Sequence, residues 1–167
     1  MSVIANTTVI SNFASVGRLD VLRSLLGEVH ISTDVYAEIQ DGLSEGFNFY
    51  IGIESHIHPL TPGGWLRLTS MDDDEELRLF GQLPDALHRG EASCLAIAAK
   101  RGWAFLTDDA RARTAARELN VAYSGTLGVL VQAVNAGRLP LAEANALLGR
   151  MIQAGYRSPY TTLVELL

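Results

Sequence analysis

Short apolar runs alternating with stretches of helical spacing are the feature that most constrains this chain. Val3–Ala5, Val29–Ile31, Trp65–Thr69, Trp103–Thr107 and Val121–Tyr123 are each too short for a helix and carry residues that suit strands. Between them, Val9, Ile10, Phe13 and Ala14 recur at helical spacing, and Leu19–Leu26 continues the pattern to Gly27, a natural helix-ending residue. Ser32-Thr33 is an N-cap signal for a helix containing Val35, Glu38 and Ile39. Glu91–Lys100 predicts another helix, and an Ala- and Arg-rich one runs from Asp109 to Leu119. Thr126–Ala136 and Pro140–Ala154 predict a helical hairpin at about 124–154, with Pro140 at the first helical position. Strands alternating with helices imply right-handed crossovers. The predicted fold is therefore an α/β class, three-layer α/β/α sandwich with a mainly parallel central sheet of about five strands. The 167 residues suit a single domain, 1–167. Residues 42–64, with five glycines and two prolines, read as a loop with one short helix, and Asp72–Glu76 as a solvated acidic run opening a helix.

Composition narrows the chemistry. There is no Gly-rich phosphate loop and no serine nucleophile elbow. One cysteine, Cys94, excludes an internal disulfide framework and suits a reducing cytoplasm. Cys94 falls in a helix that should pack on the sheet, so it is expected to be buried and inert. Met1–Asn6 does not read as a signal peptide, and no apolar run approaches the ~20 residues of a membrane span. The net charge of −6 argues against broad, tight coating of nucleic acid. Of the thirteen basic residues all but Lys100 are Arg, which suits bidentate phosphate contacts, so a local basic rim is compatible with that total.

In a sheet of this kind ligands bind beyond the carboxyl ends of the strands. Asn6 stands at the end of the first strand, Asp108 ends the Trp103–Thr107 strand, and Asp109 opens the next helix. Glu91 lies in the first turn of a helix that returns to the same edge. Glu38 lies about one and a half turns into its helix, but helical side chains tilt toward the N-terminus. Four carboxylates and an amide are thus expected to converge. Oxygen donors with no cysteine or close histidine pair suit Mg2+ or Mn2+ rather than zinc. Such ions activate water and clamp the oxygens of an in-line phosphoryl displacement. Arg89, Arg111 and Arg113 flank this edge and, with Thr7 beside Asn6, are candidates to hold a substrate strand. Plainer readings stand beside these: Asn6, Asp108 and Asp109 as helix caps, Glu91 as a complement to a helix dipole, Glu38 as a solvated helix residue. Glu54, His56 and His58 resemble a ligand cluster but lie in the irregular loop without a fourth partner.

Val3–Asn12, Gly17–Leu22, His30–Ile39, Gly90–Ser93, Leu106–Arg111 and Ser124–Leu130 occur in an order that is similar to PIN-domain proteins of a toxin-type, VapC-like branch. The resemblance runs over nearly the whole chain and is weakest in residues 42–88. It implies a parallel sheet, a metal-binding acidic pocket, hydrolysis of RNA phosphodiesters, frequent homodimers and, for a toxin, a small antitoxin partner. Carried over, the acidic set is Glu38, Glu91, and Asp108 or Asp109, with Asn6 where the family usually has Asp. An amide oxygen can coordinate a metal but brings no charge. The resemblance thus predicts a metal-dependent endoribonuclease, the alternative being a catalytically impaired PIN-fold domain that binds RNA or protein. A DNA flap nuclease would need a clamp or arch insertion that the sequence lacks.

Overall fold

The computed structural model describes residues 1–167. The chain runs β1 (Val3–Ala5), α1 (Thr7–Ser15), α2 (Leu19–Leu26), β2 (Val29–Ser32), α3 (Thr33–Ser44), β3 (Ile57–His58), β4 (Leu66–Thr69) and α4 (Asp74–Gln82). It continues through α5 (Arg89–Arg101), β5 (Ala104–Leu106), α6 (Ala110–Glu118), β6 (Tyr123–Ser124), α7 (Thr126–Asn135) and α8 (Leu141–Gln153). The strands form one sheet in the order β3-β4-β2-β1-β5-β6, and every neighbouring pair is parallel. Helices flank the sheet on both faces. α5 packs on β1, β2 and β5 with α3, α4 and α6 against it, while α2 meets α7, α7 meets α8 and α8 meets α1.

The core follows from the sequence periodicity. Ile4 and Phe105 sit side by side in register on β1 and β5, both fully buried. Ile10 and Phe13 of α1, Leu22 of α2, Leu95 of α5 and Leu130 of α7 close over the sheet. Each such side chain contributes about 1.5–3 kcal/mol of burial, which fixes the helices against the strands. Cys94 is fully buried in α5, and burial pushes its thiol up to about 12, so it stays a neutral thiol. No helix is long and apolar enough to cross a membrane.

The structure departs from the expected elements at several points. The irregular stretch holds two 3-10 turns, Asn48–Tyr50 and Ile53–His56, and a two-residue edge strand, so the sheet has six strands. The last strand lies at Tyr123–Ser124, because pairing with Phe105 and Leu106 fixes its register further along the chain than Val121. Pro140 is the N-cap of α8, with extended backbone, and not its first helical residue. Within the acidic run, Asp72–Glu75 are exposed, but Glu76 is buried and accepts from Arg101 Nε at 2.6 Å. That pair ties α4 to the end of α5. Its lone partner matters, because a carboxylate this buried is costly unless paired.

Candidate active site

The chain reverses its strand order at β1: β2, β4 and β3 lie on one side, β5 and β6 on the other. The carboxyl ends of β1 and β5 therefore frame a crevice, the position where such sheets take ligands. Asn6 bridges them. Its Oδ1 accepts from Thr8 N at 2.8 Å, capping α1, and its Nδ2 donates to Thr107 Oγ1 at 3.0 Å. The side chain is 2% exposed, so both ends of the amide are spent on the frame.

Glu38 reaches the same edge from α3. Its Oε2 accepts from the Thr7 hydroxyl, and its Oε1 accepts from Gly90 N at 3.1 Å. A Cβ at position 90 would fall 2.7 Å from both carboxylate oxygens, so any larger residue there would push the Glu38 carboxylate out of this position. Thr7 is thus a clamp on Glu38. Glu91, one residue on, accepts from His88 N through Oε2 at 3.0 Å in a capping box and is buried. Burial pushes its carboxyl above the usual range, and the charges of Asp109 and Glu38 push the same way. Those two influences put Glu91, at the start of α5, within reach of the charge of Glu38 from α3 and of Asp109 from the start of α6.

Asp109 caps α6, its Oδ1 accepting from Ala112 N at 2.8 Å. Asp108 turns toward a different helix. Its Oδ1 accepts from Thr126 N at 2.8 Å, and its Oδ2 accepts from the Thr126 hydroxyl at 2.6 Å and from Asn12 Nδ2 at 3.1 Å. Arg113 lies 3.8 Å from Asp108 and donates to the Thr107 carbonyl at 3.0 Å. Arg113 is therefore part of the frame rather than a free phosphate clamp. Arg89 is exposed at the start of α5, 3.4 Å from Asp34, and Arg111 is exposed in the first turn of α6 with no ion pair. Beside Asp108 and Asp109 opens a cavity of about 380 Å3, with Asn12, Phe49, Tyr156 and Arg157 also in its walls. Glu38 and Glu91 do not line it.

A family model described as a PIN domain, DUF3368, matches residues 2–167. The chain belongs to this PIN-domain family. Two solved structures share the fold. A PilT N-terminus domain protein from the hyperthermophilic archaeon Sulfolobus solfataricus P2 aligns at TM-score 0.54 and 12% identity, over 80% of this chain and 94% of that one. FitAcB from Neisseria gonorrhoeae aligns at TM-score 0.50 and 20% identity, over 72% of this chain and 95% of that one. No curated protein matches the chain.

Whether this PIN domain's residues suit a divalent cation depends on donor type and spacing. The donors at the edge are oxygens alone, which suits Mg2+ or Mn2+, and a cation would relieve the raised Glu91 carboxyl. Glu38 and Glu91, which meet at the start of α5 with Asp109 within reach of Glu91's charge, are the side chains that would hold it, one or two at a time alongside water. The spacing is open: no three His, Cys, Asp or Glu side chains lie close enough together to hold a metal ion. Asn6 and Asp108 are already engaged in hydrogen bonds at both polar atoms. The loop trio does not assemble either, since His56 Nδ1 faces Trp65 Nε1 at 3.2 Å. Sequence reasoning missed Asn12, Thr107, Thr126 and Tyr156, which build the Asp108 side of the crevice. Tyr156 is held protonated by burial and then by the charge of Asp108. No spacing announces these four, and Asn12, Thr126 and Tyr156 come to Asp108 only in the folded chain.

Proposed function

We propose that this PIN-domain protein is a metal-dependent endoribonuclease that cleaves RNA phosphodiesters and serves as the toxin of a toxin–antitoxin pair. The observation that carries this reading is the pair Glu38 and Glu91, fixed together at the start of α5 on the switch-point edge of a chain that matches the PIN-domain family over residues 2–167. Mg2+ or Mn2+, when bound, would supply an activated water and offset charge on the phosphoryl oxygens. The chain's own contribution is orientation. Gly90 N–H and the Thr7 hydroxyl fix Glu38, and the capping box fixes Glu91, so neither carboxylate must be ordered when substrate arrives. Glu91 Oε1 is free of the His88 amide bond, and burial raises that carboxyl's affinity for a proton, which suits the oxygen to accept one from an attacking water. Arg89 and Arg111 stand on either side to meet the phosphate backbone. The protein acts in the cytoplasm as one domain, 1–167, with the hairpin at about 124–154, as a homodimer, and is restrained by a small antitoxin protein.

A second reading, a catalytically impaired domain that binds RNA or protein, is favoured by Asn6. That residue brings no charge, and its amide is consumed by the α1 cap and Thr107. The deciding experiment is cleavage of a mixed single-stranded RNA pool in Mn2+ and in EDTA. The nuclease reading expects cleavage in Mn2+ that EDTA and Glu91→Gln both abolish. Intact RNA throughout, including with Asn6→Asp protein, selects the impaired domain.

A further inference from the structure

We propose that the cavity beside Asp108 and Asp109 is a nucleotide subsite in which an unpaired RNA base stacks on Phe49. The inference rests on the nuclease reading and names what that reading leaves open, the feature by which single-stranded RNA is held. The cavity, about 380 Å3, falls within the ~300–1,000 Å3 of small-ligand sites. Its walls are of three kinds. α1 buries Val9, Ile10, Phe13 and Ala14 and turns Thr8, Ser11, Asn12 and Ser15 to the cavity. Asp109 adds an acceptor, its Oδ2, which takes no hydrogen bond within the protein. Phe49 supplies the one aromatic ring on the loop side, and Arg157 supplies the one cation.

Phe49 is 38% exposed, yet it is not loose. It belongs to a 3-10 turn anchored by Tyr50, which is 3% exposed and whose ring centroid lies 4.5 Å from that of Phe49. Phe47 stacks nearly parallel to Phe49, with centroids 5.8 Å apart and 13° between the planes. An exposed ring held in place at the wall of a polar cavity offers a π-face that every base can use. Arg157 is exposed and makes no ion pair or side-chain hydrogen bond, so it is free to meet the phosphate attached to that base. A base edge can pair with the hydroxyls and carboxylates around it. An apolar side chain of a protein partner would leave Asp109 Oδ2 and the Arg157 guanidinium, which have no partner within the protein, without water or a partner, which is costly. Asp109 belongs both to this cavity and to the Glu38–Glu91 group. The stacked nucleotide is therefore a neighbour of the phosphodiester those carboxylates face.

The test is binding of a short uridine-rich RNA by the full-length protein, in EDTA and again in Mn2+. Phe49→Trp is expected to keep affinity, and its emission to be quenched saturably beyond the background that wild-type protein sets with Trp65 and Trp103. Phe49→Ala is expected to weaken binding about 5- to 100-fold with an unchanged circular dichroism spectrum. An oligomer of equal length with abasic positions should lose the same increment, and a duplex should not quench. Equal binding of base-bearing and abasic oligomers, or no binding of unpaired RNA in either buffer, overturns the subsite. So does a Phe49→Ala protein that changes from dimer to monomer while RNA binding stays the same, because the ring then serves a protein contact. Cleavage without Phe49 dependence removes the subsite alone. Base-dependent quenching without cleavage removes the nuclease reading alone.

Discussion

Asn6 contributes a dipole at a position where a carboxylate would contribute a full charge, and its two polar atoms already have partners. Asn6→Asp should be accommodated, because Thr107 Oγ1 accepts from Asn6 and from Asp109 N and its own proton is free to turn toward a new carboxylate. The variant is expected to bind Mn2+ more tightly and to cleave RNA faster at limiting metal. Its metal-free stability should fall slightly through repulsion with Glu91 and Asp109. Titration of Mn2+ against cleavage rate, with EDTA unfolding curves, measures both. Glu91 gives a second prediction. Its folded-state pKa is raised, so protonated Glu91 favours the fold at acid pH, and that contribution is lost as pH rises through the raised value. Glu91→Gln keeps the capping-box acceptor and cannot ionise. In EDTA it should therefore melt higher than wild type at neutral pH, and the difference should vanish below the ordinary carboxylate range. A constant difference at all pH values would show that Glu91 ionisation is not what strains the site. The carboxylates themselves were legible in the sequence because each sits at a strand end or within the first turns of a helix. Which of their oxygens stay free was not legible, since that depends on Thr126, Asn12 and His88, residues fixed only by folding.

At the scale of elements, the N-termini of α1, α5, α6 and α7 all meet this edge. Asn6, Glu91, Asp109 and Asp108 each satisfy amide groups there. Each helix start carries roughly half a positive charge, which favours an acidic cluster even without metal. The caps and the candidate ligands are thus the same side chains, and a test of metal binding must not remove the caps. Asp109→Ala loses the α6 cap and should cost about 1 kcal/mol, or ~2–4 °C in Tm. Asp109→Asn caps nearly as well and removes only the charge. Metal-free Asp109→Asn should therefore melt close to wild type, whereas the Mn2+-induced rise in Tm should shrink. An undiminished rise would take Asp109 out of any metal site. The eight helices were legible from their apolar spacing, supported in some by a cap, as with Ser32, whose hydroxyl accepts from Val35 N at 3.1 Å. β3 was not: two residues, Ile57 and His58, become a strand only by pairing with Leu66 and Arg67. Glu76 was missed for a related reason, because its burial depends on Arg101 from a distant helix.

For the whole molecule the governing quantity is a net charge of −6 set against a few exposed arginines. An RNA strand meets long-range repulsion and can be held only where cations stand clear of the acidic surface. Arg111 and Arg157 form no ion pair, and Arg89 keeps a single exposed one with Asp34. Arg113 is already bound to Thr107 and Asp108, so it should count little toward phosphate binding. With about three phosphates neutralised, log K should fall against log salt with a slope near −2 for a single strand. Replacing Arg89, Arg111 or Arg157 by Ala should flatten that slope by ~0.7 each and weaken binding to all sequences alike. Arg113→Ala should instead lower Tm, since it removes the anchor between α6 and the end of β5. Fluorescence anisotropy of a labelled single-stranded RNA in EDTA, from low to moderate salt, reads these slopes. A slope of −4 or steeper would mean that the acidic molecule carries a wider basic track than three arginines can make. A slope unchanged by all three substitutions would move the RNA path away from this edge altogether.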